Sequence, residues 1–294
     1  LIELDRSNEA IKILSGAVDI HSRDLELLNN LGNALQKSKR VEDAVARFHS
    51  ALDLQPDNIT ILLNLSRNLL RLGEYDRALS YLEKARDLSP ENASVAMVDT
   101  LALPVIYNSA EEIVTARERL TSKLAEMENQ TWKIVDPATT VGQTNFFLAY
   151  QGANDKDIQN RVAALYLKSC PDLAFVADHC RSYKRGVGRR IKLGFVSAFL
   201  GNHTIGKLFH GLINGLDRNR FEIIVFHLGP DRRLEDKYLA SLSDHVDHFL
   251  CVPSQYLQAR MTISEMEPDI IYYTDIGMEP VSYFLAFNRL APVQ

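Results

Sequence analysis

Small and apolar residues recur with a period of 34 positions through the first third of the chain. Shifting the sequence by that period pairs Leu31 with Leu65, Leu35 with Leu69, Ala44 with Ala78, Phe48 with Leu82, Ala51 with Ala85 and Pro56 with Pro90. Small residues such as Ala44 let two helices approach closely, and a proline ends a helix because it lacks an amide donor. The pattern therefore predicts pairs of packed helices, with two full repeats after the second half of an earlier one.

This period is typical of the tetratricopeptide repeat, in which two helices form one unit. The chain resembles the repeat pattern at Leu28, Leu31, Gly32, Leu35, Ala44, Phe48, Ala51 and Pro56. Such repeats stack on their neighbours and build a concave surface, which implies a scaffold that binds an acceptor protein or peptide. The alternative is that so few repeats only support the domain that follows them.

The repeat period is lost from Ala93 to about Tyr183, where the pattern is helical but irregular. Apolar residues at helical spacing predict helices over residues 111–128 and 158–170. Between these helices, residues 145–152 contain three aromatic side chains, which we interpret as core rather than as a binding site.

The last third alternates between apolar runs and amphipathic helical runs. Predicted strands cover residues 191–197, 221–227, 246–252 and 269–273, and predicted helices cover residues 204–216, 234–243, 254–266 and 280–290. Alternating strands and helices are typical of a parallel sheet with right-handed crossovers. The predicted fold class is therefore α plus α/β, a tetratricopeptide α-solenoid followed by a Rossmann-like parallel α/β lobe.

Composition and charge narrow the class of protein. The 294 residues are 46% hydrophobic and carry a formal net charge of −5, which excludes a collagen or a disordered tail and favours neither nucleic-acid nor membrane binding. Three scattered cysteines indicate a reducing, cytoplasmic location rather than a disulfide framework. Because the chain begins without a methionine or a signal peptide, we expect it to be a piece of a longer protein.

The basic and histidine-containing stretches have structural explanations. Six lysines and arginines lie between Arg181 and Lys192, but few aromatic residues interleave with them. A solvated linker is therefore favoured over a nucleic-acid patch. His245 and His248 do not converge if alternate residues of a strand face opposite sides. His203 and His210 share a helix face only loosely and lack a third ligand. We therefore expect no metal site.

The loop after the first predicted strand is the leading candidate site, because ligands bind beyond the carboxyl ends of parallel strands. Gly201 permits a tight turn there, and His203 opens the next helix with a side chain of a type that exchanges protons near neutral pH. The loop lacks the spacing of a dinucleotide or ATP phosphate cradle. Asp275, after the fourth strand, is a second candidate, with a simple helix cap as the alternative.

Several segments occur together in a specific order. The repeats are followed by FFLAYQGAND at residues 146–155, GFVS at 194–197, GNH at 201–203, DIGMEP at 275–280 and YFLAFNRLAPVQ at 283–294. In this combination the chain resembles the O-linked N-acetylglucosamine transferase and SPINDLY family, and most closely its bacterial members. The resemblance covers nearly the whole chain.

The resemblance implies a two-lobed inverting glycosyltransferase of the GT-B type, which needs no metal or other cofactor. Its donor is a nucleotide sugar, usually UDP-N-acetylglucosamine, and its acceptor is a protein Ser or Thr hydroxyl. In that family the histidine of the Gly-Asn-His loop lies at the catalytic crevice. His203 is therefore the catalytic candidate, as a general base toward the acceptor hydroxyl or as a group that positions it. Gly201 and Asn202 would shape the loop, Lys207 would contact phosphate and Asp275 would orient substrate.

The sequence departs from the family in two places. The animal enzymes carry a further histidine in the strand before the final helix, whereas residues 268–272 contain none, so that role is not transferred. The family's donor-binding lobe would follow Gln294. We therefore expect these residues to hold half of an active site and to be inactive alone, with the donor bound mainly by the other lobe.

These observations predict three regions: tetratricopeptide repeats at 1–92, a helical linker region at 93–188 and the N-terminal catalytic lobe of a GT-B fold at 189–294. The predicted function is transfer of N-acetylglucosamine from UDP to protein hydroxyls, without nucleic-acid or membrane partners. The alternative is a tetratricopeptide interaction module with a catalytically inert α/β domain. The acceptor, the sugar (N-acetylglucosamine, glucose or fucose) and the formation of a homo-oligomer stay open.

Overall fold

The computed structural model describes residues 7–183, 186 and 188–294. The chain divides into two compact units, Leu1–Cys170 and Pro171–Gln294. The finer boundaries predicted after residues 92 and 188 stay predictions. Two cations of the basic run, Lys184 and Arg185, lie outside the described residues.

Helix pairs fill the first part of the first unit, as the 34-residue period predicts. The helices are α1 Ser7–Ile20, α2 Leu25–Lys37, α3 Val41–Leu54, α4 Ile59–Arg71, α5 Tyr75–Leu88 and α6 Ala93–Leu101. The residues that cap α2, α4 and α6 are Asp24, Asn58 and Asn92, which the same period separates. Each side chain accepts a hydrogen bond from a backbone N–H of the first helical turn. The 34-residue period therefore extends to the residues that begin these helices. Their side chains satisfy amide groups that have no partner inside the helix.

The repeat positions that are small or apolar form the core of this unit. Ala44, Ala51, Ala78 and Phe48 are fully buried. A Cβ atom added to Gly32 would lie 2.6 Å from Cε1 of Phe48, so only a glycine lets α2 approach the ring this closely. The predicted core positions are confirmed.

Side-chain amides connect α2 with α4 along one side of the repeats. Nδ2 of Asn64 donates to Oδ1 of Asn29 at 3.1 Å, and Nδ2 of Asn68 donates to Oε1 of Gln36 at 2.8 Å. Asn64 and Asn68 are themselves buried. A buried amide stabilises the fold only when it is paired. These hydrogen bonds therefore fix the register of α4 along α2.

The rest of the first unit is helical but does not repeat. It contains α7 Ala110–Glu128, α8 Pro137–Thr140, a 3₁₀ helix at Phe146–Gln151 and α9 Lys156–Ser169. The core prediction for the aromatic residues of the 3₁₀ helix is wrong for Tyr150, which is 70% exposed. Because a 3₁₀ helix has three residues per turn, the buried face consists of Asn145, Leu148 and Gln151.

The second unit is built on a parallel sheet, as predicted. Its elements are α10 Asp178–Arg181, β1 Ile191–Ser197, α11 Thr204–Gly215, β2 Phe221–Leu228, α12 Lys237–His245, β3 His248–Val252, α13 Tyr256–Glu265, β4 Ile270–Tyr273 and α14 Pro280–Leu285. The strands follow the order β3-β2-β1-β4, and every pairing is parallel. Apolar residues of β1, β2, α11 and α12 form a common core on the sheet.

Arg181 and Arg189 of the basic run before β1 are exposed, and Arg189 and Arg190 also form ion pairs, which the linker prediction did not include. Both terminal nitrogens of Arg189 donate to the carboxylate of Asp269, at 2.6 and 2.5 Å. Arg190 donates to Asp247 at 2.7 Å. Asp269 directly precedes β4 and Asp247 directly precedes β3, so Arg189 connects the start of β1 to that of the adjacent β4, and Arg190 connects it to that of β3, on the other side of β2. A bidentate pair with a buried carboxylate such as Asp269 is also stronger than an exposed ion pair.

Candidate functional site

The strand order predicts a ligand crevice at the carboxyl edge of the sheet. The chain runs outward from β1 to β2 and β3, and then returns to place β4 on the other side of β1. The strand order therefore reverses between β1 and β4. In open parallel sheets this reversal point is where ligands bind. The loop after β1 and the segment after β4, which contain the predicted site residues, both begin there.

Asp275 links the two segments at this reversal point. Its Oδ2 accepts the Ala198 N–H at 3.1 Å, and its Oδ1 is buried without a hydrogen-bond partner among the described residues. Burial raises the pKa of Asp275 to about 6, although the Ala198 N–H and the Ser197 hydroxyl stabilise the ionised form. Asp275 therefore holds the loop after β1. The prediction that it orients substrate stays a prediction.

This raised pKa predicts that Asp275 makes stability depend on pH. The folded state binds the Asp275 proton more tightly than the unfolded state, so the stabilising contribution is present below about pH 4 and is lost as pH rises through 6. Asp275→Asn should be as stable as the wild type near pH 4 and more stable by about 3 kcal/mol at pH 7.

Urea unfolding at a series of pH values measures this difference in the free energy of unfolding. Hydrogen exchange of the β1 amides at the same pH values provides a second measurement. Asp244→Asn, at an exposed position, is the matched control and should not change with pH in this way. A stability difference between Asp275→Asn and the wild type that stays constant from pH 4 to 7 would refute the assignment.

Two glycines allow the loop after β1 to pack tightly against its surroundings. A Cβ atom at Gly201 would lie 2.3 Å from Oδ2 of Asp236, and one at Gly206 would lie 2.1 Å from the carbonyl oxygen of Gly201. Both distances are too short for any side chain. The loop therefore folds onto the first turn of α11 only because both positions are glycine.

Asp236 fixes the other side of the same loop. Its carboxylate caps α12 by accepting the Tyr238 N–H at 2.9 Å, and it also accepts the Asn202 N–H at 2.6 Å. Burial opposes its ionisation, but these backbone N–H bonds keep the pKa of Asp236 below its usual value. Asn202 is thus held through its backbone, while its side chain lies at the surface.

His203 is the N-cap of α11. Its Nδ1 accepts the Ile205 N–H at 3.2 Å, and its ring lies 4.7 Å from that of Phe199, centre to centre. Because Nδ1 is an acceptor, the proton of the neutral imidazole lies on Nε2. The half-buried ring therefore offers a donor at Nε2. This arrangement suits a group that positions an oxygen atom better than one that removes a proton.

Lys207 lies one turn further along α11 and is directed at an aromatic ring. Its Nζ lies 5.8 Å from the ring centre of Tyr238, and Nζ of Lys237 lies 5.5 Å from the same centre. The two ammonium groups therefore flank one tyrosine beside the loop. The predicted phosphate contact of Lys207 stays a prediction.

His227 is a candidate that the sequence did not reveal. It ends the apolar run of β2, pairs in register with Ser197 of β1, and is 6% exposed. Burial lowers the pKa of His227 to about 4, so its ring is neutral at pH 7. Its Nδ1 is buried without a hydrogen-bond partner in the described part of the chain. The one available signal was a histidine directly after the apolar run at residues 223–226 of the strand.

Neither a cluster of metal ligands nor a membrane-spanning helix is present among the described residues. Within residues 7–183, 186 and 188–294, no group of three His, Cys, Asp or Glu side chains is arranged to hold a metal ion. No helix in those ranges is both long enough and apolar enough to cross a membrane.

Comparison with known proteins identifies the repeats. Residues 23–91 match the tetratricopeptide repeat family model. These residues contain α2, α3, α4 and α5, so the pairs α2–α3 and α4–α5 are tetratricopeptide repeats. A comparison with curated proteins finds no match for the sequence.

The fold of the chain is similar to that of a solved glycosyltransferase. A variant of the O-GlcNAc transferase of Thermobaculum terrenum matches with 17% identity and a TM-score of 0.62, over 99% of this chain and 47% of that one. This chain therefore spans about half the length of that protein. MamA of Desulfovibrio magneticus RS-1 matches over 54% of this chain and 83% of its own, with 20% identity and a TM-score of 0.38. The first similarity shows the fold, which is tetratricopeptide repeats followed by a parallel α/β sheet.

Proposed function

We propose that the protein is an inverting glycosyltransferase that moves N-acetylglucosamine from UDP to Ser or Thr hydroxyls of proteins. The observation that carries the proposal is the Gly201-Asn202-His203 loop. It is fixed at the reversal point of the sheet, in a fold similar to that of an O-GlcNAc transferase over 99% of this chain. Tetratricopeptide repeats favour binding of a protein acceptor.

In the proposed reaction, the acceptor oxygen attacks the anomeric carbon from the face opposite the nucleotide. The bond from that carbon to the diphosphate breaks, and its electrons pass to the diphosphate oxygen. The acceptor hydroxyl loses its proton to water as its oxygen bonds to the carbon. His203 donates its Nε2 proton in a hydrogen bond to the acceptor oxygen and so holds a lone pair toward the sugar. This role agrees with the Nδ1 cap, which leaves Nε2 as the donor. Holding the oxygen and the carbon in line lowers the entropic part of the barrier.

The surrounding residues support this arrangement in the proposal. Gly201 and Asn202 shape the loop through Asp236, and Asp275 positions it through the Ala198 N–H. Lys207 supplies positive charge for the diphosphate, together with Lys237, which lies on the same tyrosine ring.

A transfer assay with the protein in its natural length tests the function. The protein is incubated with a library of Ser- and Thr-containing peptides and, in separate reactions, UDP-N-acetylglucosamine, UDP-glucose or GDP-fucose. Mass spectrometry should detect an N-acetylhexosamine on Ser or Thr with the first donor. A glucose or fucose adduct would instead identify UDP-glucose or GDP-fucose as the donor. A folded protein that forms no adduct with any donor would favour the interaction module instead.

A further inference from the structure

A cavity of about 700 Å³ opens between the first turns of α5 and α7 in the first unit. Its walls come from residues 73–79 around the start of α5, residues 104–108 of the connection between α6 and α7, and residues 111–119 of α7. None of the candidate site residues of the second unit lines it. Its volume lies within the range of cavities that hold ligands.

One part of the cavity wall is apolar. Leu79, Pro104 and Ala116 contribute aliphatic groups. Tyr75 contributes an aromatic ring, and Ile106 lines the same cavity although 81% of its surface is exposed. Isoleucine is one of the residue types most often buried. The cavity therefore offers an accessible surface on which an apolar side chain of a ligand is able to pack.

Acidic side chains also line the cavity, and most of them have no cationic partner. The acidic residues of the lining are Glu74, Asp76, Glu111 and Glu112. Of the two arginines in the lining, Arg77 pairs with Glu74. Arg119 pairs with Asp99, which lies outside the lining. Among the described residues, no lysine or arginine pairs with the other three acids, so the cavity carries an excess of negative charge beside its apolar wall.

The position of these acids in first helical turns explains only part of their arrangement. An acidic side chain in a first turn stabilises its own helix, because it complements the partial positive charge of the amino end. This effect does not require that acids of α5 and α7 line one cavity, where like charges repel each other. A cationic group bound between them removes that repulsion.

We propose that this cavity binds a basic segment of a partner protein, in which an arginine or lysine side chain lies beside an aliphatic one. The cation pairs with Asp76 and Glu111 on the two helices, and the aliphatic side chain packs on Ile106. Charge complementarity favours this occupant over an acidic or uncharged segment. The proposal concerns binding by the first unit alone and does not depend on the proposed transferase activity.

Fluorescence anisotropy with the 294-residue chain and a labelled peptide of alternating arginine and leucine tests the charged part of the site. Asp76→Asn combined with Glu111→Gln should weaken binding about 5- to 10-fold, since each exposed ion pair contributes about 2- to 5-fold in affinity. Both side chains are exposed, so the fold should be unchanged by far-ultraviolet circular dichroism. Glu83→Gln combined with Glu118→Gln is the matched control, because it removes one exposed acid from each of the same helices outside the cavity. It should leave the affinity unchanged.

Ile106→Ser tests the apolar part of the site. Because the side chain is largely exposed in the free protein, the substitution should leave the fold intact and weaken binding of the peptide about 3- to 10-fold. Val135→Ser replaces a β-branched residue of the same unit that is 79% exposed and lies outside the cavity. It should have no effect on binding.

Two altered peptides separate the ionic from the apolar contribution. A peptide with glutamine in place of arginine, and another with serine in place of leucine, should each bind about 5-fold more weakly or worse. Added salt should weaken binding of the original peptide. The proposal would be overturned by equal binding of the three peptides, by absence of saturable binding to the wild type, or by equal effects of a cavity variant and its control.

Discussion

His203→Asn is expected to slow sugar transfer by about 10²- to 10³-fold while leaving α11 stable. Asparagine is among the best N-cap residues, and its Oδ1 is able to accept the Ile205 N–H that Nδ1 of His203 now accepts. The substitution therefore keeps the helix start and removes the Nε2 donor that we assign to the acceptor oxygen. Single-turnover transfer measured by mass spectrometry, on the protein in its natural length, gives the rate.

His203→Ala is the matched comparison, because it removes both the cap and the donor. Loss of the cap should cost about 1 kcal/mol of stability, and the contact with the Phe199 ring is also lost. The two variants should therefore be equally slow but differ in thermal stability. If His203→Asn transferred sugar at the wild-type rate, His203 would be a helix cap and nothing more.

Phe48→Ala is expected to reduce the free energy of unfolding of the first unit by about 3–5 kcal/mol. The Phe48 side chain is fully buried, and its ring lies directly against Gly32 of α2. Truncation would leave a cavity where α2 and α3 meet, because the glycine has no side chain to fill it. Urea unfolding followed by the fluorescence of Trp132, which is buried in the same unit, measures the change.

Phe48→Leu provides the control for this prediction. The 34-residue period places Leu82 at the equivalent position of the next repeat, where it is fully buried. A leucine should therefore be accommodated at a cost of about 1 kcal/mol. If Phe48→Ala were as stable as Phe48→Leu, the ring would not be an essential part of the packing between repeats.

The repeats and the sheet were predictable because each follows from a period along the chain. Small residues at 34-residue spacing identified the packed helix faces, and alternating apolar runs identified all four strands of the second unit to within two residues at each end. The caps at Asp24, Asn58 and Asn92 share the same spacing. In the repeats and the strands, the type of each patterned residue agrees with its burial in the fold. The sequence alone was therefore sufficient to predict these elements.

The features that escaped sequence analysis depend on contacts between distant residues. Arg189 looked like part of a solvated basic run until Asp269, 80 positions away, supplied its carboxylate. His227 is chemically distinctive only because β2 lies in the centre of the sheet, where burial lowers its pKa. Tyr150 is exposed because a 3₁₀ helix, rather than an α-helix, decides which side chains of its segment face inward.

The positions of the candidate site residues in the fold could be predicted only in part. The sequence located Gly201, Asn202 and His203 at the start of α11, and the structure explains the two glycines of this segment by close contacts of the backbone. The partner of Asp275, the Ala198 N–H on the loop after β1, becomes visible only once β4 lies beside β1. That pairing is a consequence of topology, which no local pattern specifies.

A crystal structure of the protein in its natural length with bound UDP-N-acetylglucosamine tests the location of the reaction most directly. The sugar should lie at the carboxyl edge of β1 and β4, with its anomeric carbon facing the loop that carries His203. A sugar bound at the amino edge of the sheet, or on the repeats, would contradict the assignment of this crevice as the active site.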